Sequence, residues 1–146
     1  MEQKQDERRM LGAMLRIPFQ ATVARISEGL SAQGYTDLRP AHFAVFQHLT
    51  PTGSRITELA EQAQITKQSM SALVNHVETC GYVEYVSDPE DGRAKIVRLT
   101  ARGWALDAAA RAIMQATEAE WASKIGSERF EQLKQTLREL VAALEA

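Results

Sequence analysis

The sequence predicts a mostly α-helical protein built around a winged helix-turn-helix, in which two short helices and a tight turn are followed by a small β-hairpin wing. The first observation comes from the centre of the 146-residue chain, where two short helical patterns precede two strand-like runs separated by an Asp-Gly step. The second is that long segments on both sides carry apolar residues at three- and four-residue steps, which is typical of amphipathic helices.

The N-terminal part, residues 1–49, is expected to hold a long helix and a second, shorter one. Pro18 lies inside the first helix and is predicted to kink or break it, because proline lacks a backbone N–H. The second helix is predicted to open near Arg39 and Pro40, since proline suits a first helical turn. The apolar face of the long helix comprises Leu11, Met14, Leu15, Phe19, Thr22, Ile26 and Leu30.

The central part, residues 50–103, is predicted to be the winged unit. Its first helix is Ile56–Ala63, for which Thr57 is the expected N-cap. Thr66 is expected to cap a second helix that runs from Lys67 to about Cys80 and stops at Gly81. The two strand-like runs are Tyr82–Val86 and Lys95–Leu99.

The C-terminal part, residues 104–146, is predicted to be helical again. Thr100 is expected to cap its first helix, and Gly126 and Ser127 to separate that helix from a final amphipathic one. Neither terminal part can bury its apolar stripe alone, so packing against a second copy of the chain is expected to form a dimerisation domain. Packing back on the same chain is the alternative.

Composition excludes several classes of protein. The chain is 45% hydrophobic and 25% charged with a net charge of −2, which argues against binding nucleic acid by bulk charge alone. There is no apolar run of about 20 residues, no secretory signal and one cysteine, so a cytoplasmic, non-membrane protein is expected. Without a phosphate-binding Gly-rich loop or a nucleophile elbow, neither enzymatic activity nor a cofactor is expected. His76 and Cys80 are too few ligands for a structural zinc site, so no metal is expected.

The second central helix offers a candidate DNA-reading surface. From Gln64 to Val77 the chain has no acidic residue, and its apolar residues share one side of the helical wheel. The opposite side suits a major groove, because Gln and Asn can pair with adenine and a methyl group can meet that of thymine. That side and its flanks comprise Lys67, Gln68, Ser71, Ala72, Asn75 and His76. A solvated polar face without DNA contacts is the alternative.

The beginning of this helix and the predicted hairpin add candidate contacts. Thr66, Lys67 and Ser69 lie where free backbone N–H groups favour phosphate. Arg93, at the hairpin tip, is expected to enter a minor groove, whose potential attracts arginine. The remaining candidates are Lys95 for phosphate, Arg55 for DNA, and Asp91 as support that pairs with Arg93 or simply shapes the turn. Residues 54–102 hold six basic and seven acidic side chains, so DNA affinity requires the acids to be engaged or to face away.

Five runs of the central sequence form one pattern, of which the wing is the most specific part. In the wing an acidic residue two positions before Arg93 is followed by Val-x-Leu-Thr-x-x-Gly. The five runs are Ile56–Ala60, Thr66–Ser71, Val77–Val83, Asp88–Arg93 and Val97–Gly103. With the flanking helices, this pattern resembles the MarR family of winged-helix transcriptional regulators over nearly the whole chain. Glu90 departs from the arginine that many members carry there.

The resemblance implies a homodimer that binds double-stranded DNA at a pseudopalindromic operator. It further implies a repressor that a small aromatic or phenolic ligand releases, and the candidate ligand residues are Phe19, His42, Phe46 and Trp104. Aromatic residues at this spacing also suit a core, and His42 suits a solvated helix start. Two alternatives remain: a redox-sensing regulator that uses Cys80, and a winged-helix module that binds only proteins. The sequence does not identify the operator, the regulated genes or the effector.

Overall fold

The computed structural model describes residues 8–146 of the chain and confirms the mostly helical winged-helix architecture. A short 3-10 turn at Pro40–His42 follows the first helix, as proline at a first turn favours. The β-hairpin lies between the fourth and fifth α-helices. The elements are α1 (Leu11–Ala32), α2 (Phe43–His48), α3 (Ile56–Ala63), α4 (Lys67–Thr79), β1 (Val83–Ser87), β2 (Lys95–Leu99), α5 (Ala101–Ile125) and α6 (Ser127–Glu145).

One apolar core joins α1, α2 and α5 to the winged unit. Its fully buried side chains come from helices at their three- and four-residue spacing and from alternate positions of the strands. Burying each such side chain contributes about 1.5–3 kcal/mol, so these contacts fix the orientation of α4. The buried apolar residues are Leu30, Val45, Leu59, Ala60, Met70, Val74, Val77, Tyr82, Val83, Val97 and Leu106.

The predicted cap of α3 is wrong, and of the two outcomes predicted for Pro18 the break does not occur. The helix α1 is continuous through Pro18, because proline fits helical φ and removes one N–H donor. Thr57 does not cap α3, since the helix begins at Ile56 and Arg55 is the N-cap residue. The cause is long-range: Ser54 exchanges two backbone hydrogen bonds with Val97, so the chain leaves the sheet at Arg55 and turns at once into the helix.

The predicted caps at Thr66 and Thr100 and the predicted break at Gly126 are confirmed. Thr66 Oγ1 accepts a hydrogen bond from the Ser69 N–H at 3.0 Å and caps α4. Thr100 Oγ1 accepts one from the Gly103 N–H at 3.2 Å and caps α5. Gly126, at φ 98°, separates α5 from α6.

The two strands form an antiparallel pair in which Val83 lies opposite Leu99 and Ser87 opposite Lys95. The first strand begins at Val83, one residue after the predicted start. The loop between the strands closes where the Asp88 N–H donates to the Ala94 carbonyl oxygen at 2.9 Å. The hairpin tip therefore projects as a wing beyond the last paired residues.

The terminal helices pack less completely than the winged unit. Arg25 of α1 donates two hydrogen bonds of 2.8 Å to Glu120 of α5, and Gly29 allows α1 to approach Ile113 closely. Several large apolar side chains of α1 and α6 are exposed on the single chain. These are Leu11, Met14, Leu15, Ile17 and Phe19 on α1, and Leu133, Leu137, Leu140, Val141 and Leu144 on α6. Among residues 8–146 no helix is long and apolar enough to cross a membrane.

Candidate nucleic-acid interface

The α4 helix presents the surface that the wheel predicts. Met70, Val74 and Val77 are fully buried, so their side fixes the helix against the core. The opposite side is exposed and contains no carboxylate until Glu78. Its exposed members are Lys67, Gln68, Ser69, Ala72, Asn75 and His76, with Ser71 half-buried beside them.

A tight turn sets α4 against α3. Gln64 adopts a left-handed conformation, φ 57° and ψ 41°, which ends α3 and reverses the chain within two residues. The Ile65 N–H donates to the Ala60 carbonyl oxygen at 3.1 Å and satisfies one of the last carbonyls of α3. Thr66 and Ser69 also share a hydrogen bond between their hydroxyl groups, at 2.9 Å. The beginning of α4 is thus exposed, polar and locally ordered.

The structure places His76 in a cluster that the sequence pattern did not reveal. Its Nε2 lies 2.7 Å from the carbonyl oxygen of Asp37. Its ring stacks on that of His42, with centroids 4.2 Å apart and planes 11° apart. These contacts hold the His76 ring against the loop before α2, at the edge of the candidate DNA surface.

His42 is buried rather than solvated, which corrects the expectation drawn from its place at a helix start. Its Nδ1 accepts a hydrogen bond from the Arg39 N–H at 2.8 Å, so the ring also serves as a cap. Burial, followed by the neighbouring His76 and Arg39, lowers the pKa of His42. The buried ring is therefore held in its neutral form.

Cys80 follows α4 and is half-buried. Its Sγ lies 3.6 Å from His76 Nε2 and 4.0 Å from the Asp37 carbonyl oxygen. Burial and the adjacent Asp37 raise the pKa of the Cys80 thiol. Because the thiolate is the reactive form, this environment disfavours the redox alternative.

Asn75, a candidate base contact, has a partner on the hairpin. The hydroxyl of Tyr85 in β1 donates to Asn75 Oδ1 at 3.1 Å. Sequence reasoning did not single out Tyr85, because strand periodicity indicates which face a residue occupies but not which helix it meets.

The wing carries exposed Arg93 and Lys95, as predicted. The proposed charge pair between Asp91 and Arg93 is not formed: Asp91 Oδ1 accepts a hydrogen bond from the Arg93 backbone N–H at 3.1 Å. In the described part of the chain no ion pair joins their side chains. Asp91 therefore shapes the turn and leaves the guanidinium of Arg93 to project freely.

Asp88 is the acidic residue that ties the wing to α3. Arg55, at the beginning of α3, donates to Asp88 Oδ2 through Nε at 3.1 Å and Nη2 at 2.8 Å. Asp88 Oδ1 accepts from the Glu90 N–H at 2.9 Å. The Glu90 N–H and Arg55 lower the pKa of the Asp88 carboxyl, of which 12% is exposed. A polar cavity of about 320 Å³ lies beside this pair and is also lined by Glu58.

Ion pairs engage some of the acidic side chains that, by repelling phosphate, would oppose DNA binding by the winged unit. Asp88 is engaged by Arg55, and Glu84 by Arg98 at 2.8 Å across the hairpin. Two acidic side chains of the winged unit are thereby neutralised. Lys67 and the wing bases Arg93 and Lys95 have no ion-pair partner among the described residues.

The Leu-Thr-x-x-Gly part of the wing motif has a structural cause. Thr100 Oγ1 donates to the Gly81 carbonyl oxygen at 2.6 Å while it caps α5. A Cβ at Gly103 would collide with the carbonyl oxygen of Tyr82, so only glycine allows α5 to pack there. Arg102 lies 4.6 Å from the Tyr82 ring centroid and stacks over it as a cation. The motif therefore joins the wing to α5.

The four ligand candidates lie in different surroundings. Phe46 packs edge-on against Tyr82, with centroids 6.2 Å apart, and His42 belongs to the stacked pair. Phe19 and Trp104 are 56% and 46% exposed. None of the four lines the cavity beside Arg55. In this chain Phe19 and Trp104 are the two with accessible rings.

The polar face of α4, the capped turn before it and the basic wing define a winged helix-turn-helix protein. A model of the MarR family matches residues 36–94. Transcriptional regulator HosA of Escherichia coli O111:H- is 30% identical over 130 residues, which cover 88% of this chain and 93% of HosA. The chain therefore belongs to the MarR family of transcriptional regulators.

Further relatives agree with this assignment. HTH-type transcriptional repressor Rv2887 of Mycobacterium tuberculosis is 29% identical over 131 residues, covering 89% of this chain and 87% of the relative. The crystal structure of Rv2887 in complex with salicylic acid superposes with a TM-score of 0.68 at 28% identity. That alignment covers 90% of this chain and 96% of the solved one. The fold of the solved relative is therefore shared by the terminal helices of this chain as well as by its winged unit.

Proposed function

We propose that two copies of this chain bind an operator in double-stranded DNA, with α4 in the major groove and the wing in the adjacent minor groove. The observation that carries the proposal is the exposed surface of α4, which is rigidly held, polar and free of carboxylates from Lys67 to Val77. Polar side chains on a helix held in this way suit the base edges of a major groove.

We assign different tasks to different parts of this surface. Gln68, Ser71 and Asn75 face the bases, with Ala72 available for a thymine methyl group. Arg93 enters the minor groove. Phosphate contacts come from Thr66, Lys67, Ser69 and Lys95, because they surround the free N–H groups of the helix beginning or lie beside the wing tip.

The apolar faces of α1 and α6 support the homodimer. Exposed stripes on two helices at opposite ends of the chain suit burial against a second copy, and a two-fold axis applies one interface to both protomers. The same axis would place two α4 helices on one side of a duplex about 34 Å apart, one DNA turn. A pseudopalindromic operator follows from that symmetry.

We propose repression, and release by a small aromatic acid, as the mode of regulation. Support comes from the relative named as a transcriptional repressor and from its complex with salicylic acid. In this chain the accessible rings of Phe19 and Trp104 are the candidate contacts. A salicylate titration of the protein–operator complex tests this: Trp104→Ala should raise the concentration needed for half-release, and an unchanged titration would reject the contact.

The DNA proposal is tested by changing Arg93 to alanine. Duplexes are first selected from a random pool with the wild-type chain and then titrated in gel shifts at several salt concentrations. Arg93→Ala should weaken binding and reduce the salt slope by about one, since one charged DNA contact is lost. The control is Arg111→Ala, which removes the same charge from an exposed ion pair on α5.

The outcomes separate this proposal from a protein-association module. Weaker binding and a smaller slope in Arg93→Ala alone support the wing contact. Equal effects in Arg93→Ala and Arg111→Ala would show that Arg93 contributes only through the overall charge of the protein. A wild-type chain that retards no duplex at low salt would contradict DNA binding altogether.

A further inference from the structure

Asn75 and Tyr85 form a contact that bears on which base is selected. The Tyr85 hydroxyl donates to Asn75 Oδ1 at 3.1 Å and so joins β1 to the exposed side of α4. The Tyr85 ring is half-buried against the core, which fixes where its hydroxyl lies. Burial and the nearby Glu78 raise the pKa of Tyr85, so the hydroxyl keeps its proton as a donor.

The hydrogen bond changes what Asn75 can offer to DNA. A carboxamide has one oxygen acceptor with two lone pairs and an NH₂ group with two donor protons. Pairing with adenine uses both, because the adenine major-groove edge presents the N6 donor and the N7 acceptor. The Tyr85 hydroxyl takes one lone pair of Oδ1 and holds that oxygen turned towards the hairpin. Asn75 therefore presents its Nδ2 protons to a base, and these match the two acceptors of guanine, O6 and N7.

We propose that Tyr85 is a positioning residue for specificity: by binding Asn75 Oδ1 it turns the carboxamide so that its Nδ2 donors face the base and select guanine rather than adenine. This inference rests on the proposed placement of α4 in the major groove. Tyr85 acts through Asn75 and needs no contact with DNA of its own. The other carboxamide on this surface, Gln68, has no such partner among the described residues and keeps both of its functions for a base.

The test compares the DNA sequences selected from a random pool by the full-length wild type and by variants. Asn75→Ala first identifies the base pair that Asn75 reads, as the position whose preference it relaxes. Tyr85→Phe should shift that position from guanine towards adenine by at least about fivefold, the lower range for one good base contact. The remaining positions and the salt slope should not change, because no phosphate contact is altered.

Tyr35→Phe is the matched control. It removes the same hydroxyl from another half-buried tyrosine, one that packs against Tyr82 at a centroid distance of 6.2 Å and makes no hydrogen bond through its hydroxyl within residues 8–146. This variant should select the same bases as the wild type. Thermal denaturation of each variant shows that the proteins compared are folded.

Three results would overturn the inference alone. In the first, Tyr85→Phe selects the same base as the wild type. In the second, it binds all sequences more weakly with an unchanged preference, which is the outcome of a merely structural role. In the third, Tyr85→Phe alters base selection as much in the Asn75→Ala background as it does in the wild type. A wild-type chain that selects no common duplex would instead overturn the proposed function, and this inference with it.

Discussion

The winged unit and the terminal helices bury their apolar residues in different ways. In the winged unit, Leu59, Met70 and Val97 are fully buried within one chain. On α1 and α6 the apolar stripes are exposed, and Leu144 is the most open of those on α6. The comparison teaches that the winged unit completes its core within a single chain, whereas the terminal helices leave apolar side chains that the same chain does not cover.

The largest expected effect comes from the joint between the two regions. Gly103→Ala places a methyl group against the Tyr82 carbonyl oxygen and should lower the free energy of unfolding by about 3 kcal/mol, as overpacking does. Gly92→Ala is the control, since a Cβ there meets nothing within 4 Å. It should change stability by less than about 0.5 kcal/mol in urea denaturation. Similar losses in both variants would show that α5 is not held at this point.

The second prediction concerns a substitution on α6 that should disrupt the dimer and leave the winged unit folded. Leu137→Glu puts a charge into the apolar stripe of α6 and should weaken the dimer by roughly 2 kcal/mol, about thirtyfold in Kd. Gln135→Glu adds the same charge on the polar side of α6 and should leave the dimer unchanged. Sedimentation equilibrium measures both, and equal dissociation constants would place the dimer interface elsewhere.

The third prediction concerns the attachment of the wing. Asp88→Asn removes the charge that Arg55 binds and should lower the urea midpoint, while Asp91→Asn, three residues on, should not. Because the pKa of Asp88 is lowered in the fold, its contribution exists above the unfolded pKa of about 4 and is lost as pH falls through the folded value. The gap between wild type and Asp88→Asn should therefore close in acid. If the wild type is still more stable than Asp88→Asn in acid, the effect of the substitution comes from the shape of the side chain and not from its charge.

The smallest expected effect is the pH dependence from His42. Its pKa is lowered in the fold, so the unfolded chain binds more protons, and stability falls as pH drops below about 6.5. His42→Gln should flatten the stability curve between pH 7 and 5, and His48→Gln, at the other end of α2, serves as control. Chemical denaturation at each pH measures this. The same slope in His42→Gln and wild type would show that the stacked pair carries no proton linkage.

Local patterns predicted the elements because each depends on neighbours in sequence. The caps at Thr66 and Thr100 and the stop at Gly126 follow from residue type and spacing, as does the inward side of α4. The error at Thr57 has a non-local cause: pairing of Ser54 with the hairpin sets where α3 begins.

The side chains of the candidate site were predicted from the sequence, but the hydrogen bonds and ion pairs that connect them were not. Residue type and exposure indicated Gln68 and Arg93, since both depend on one helix face or one turn. The partners of Arg55, His76 and Asn75 lie 33, 39 and 10 residues away in sequence, and no local pattern specifies such contacts. Sequence reasoning gave the support of the wing to Asp91, whereas in the fold Asp88 binds Arg55 and so ties the wing to α3, and Asp91 accepts only the backbone N–H of Arg93.

The most direct test is a dimethyl sulfate footprint of the wild-type chain on a selected duplex, because this reagent methylates guanine N7 in the major groove and adenine N3 in the minor groove. Two major-groove segments should be protected, with centres about 34 Å apart and two-fold related, each flanked by a protected minor groove. In Arg93→Ala the minor-groove protection should disappear while the major-groove segments remain. A single unpaired protected segment, or minor-groove protection that persists without Arg93, would contradict the account.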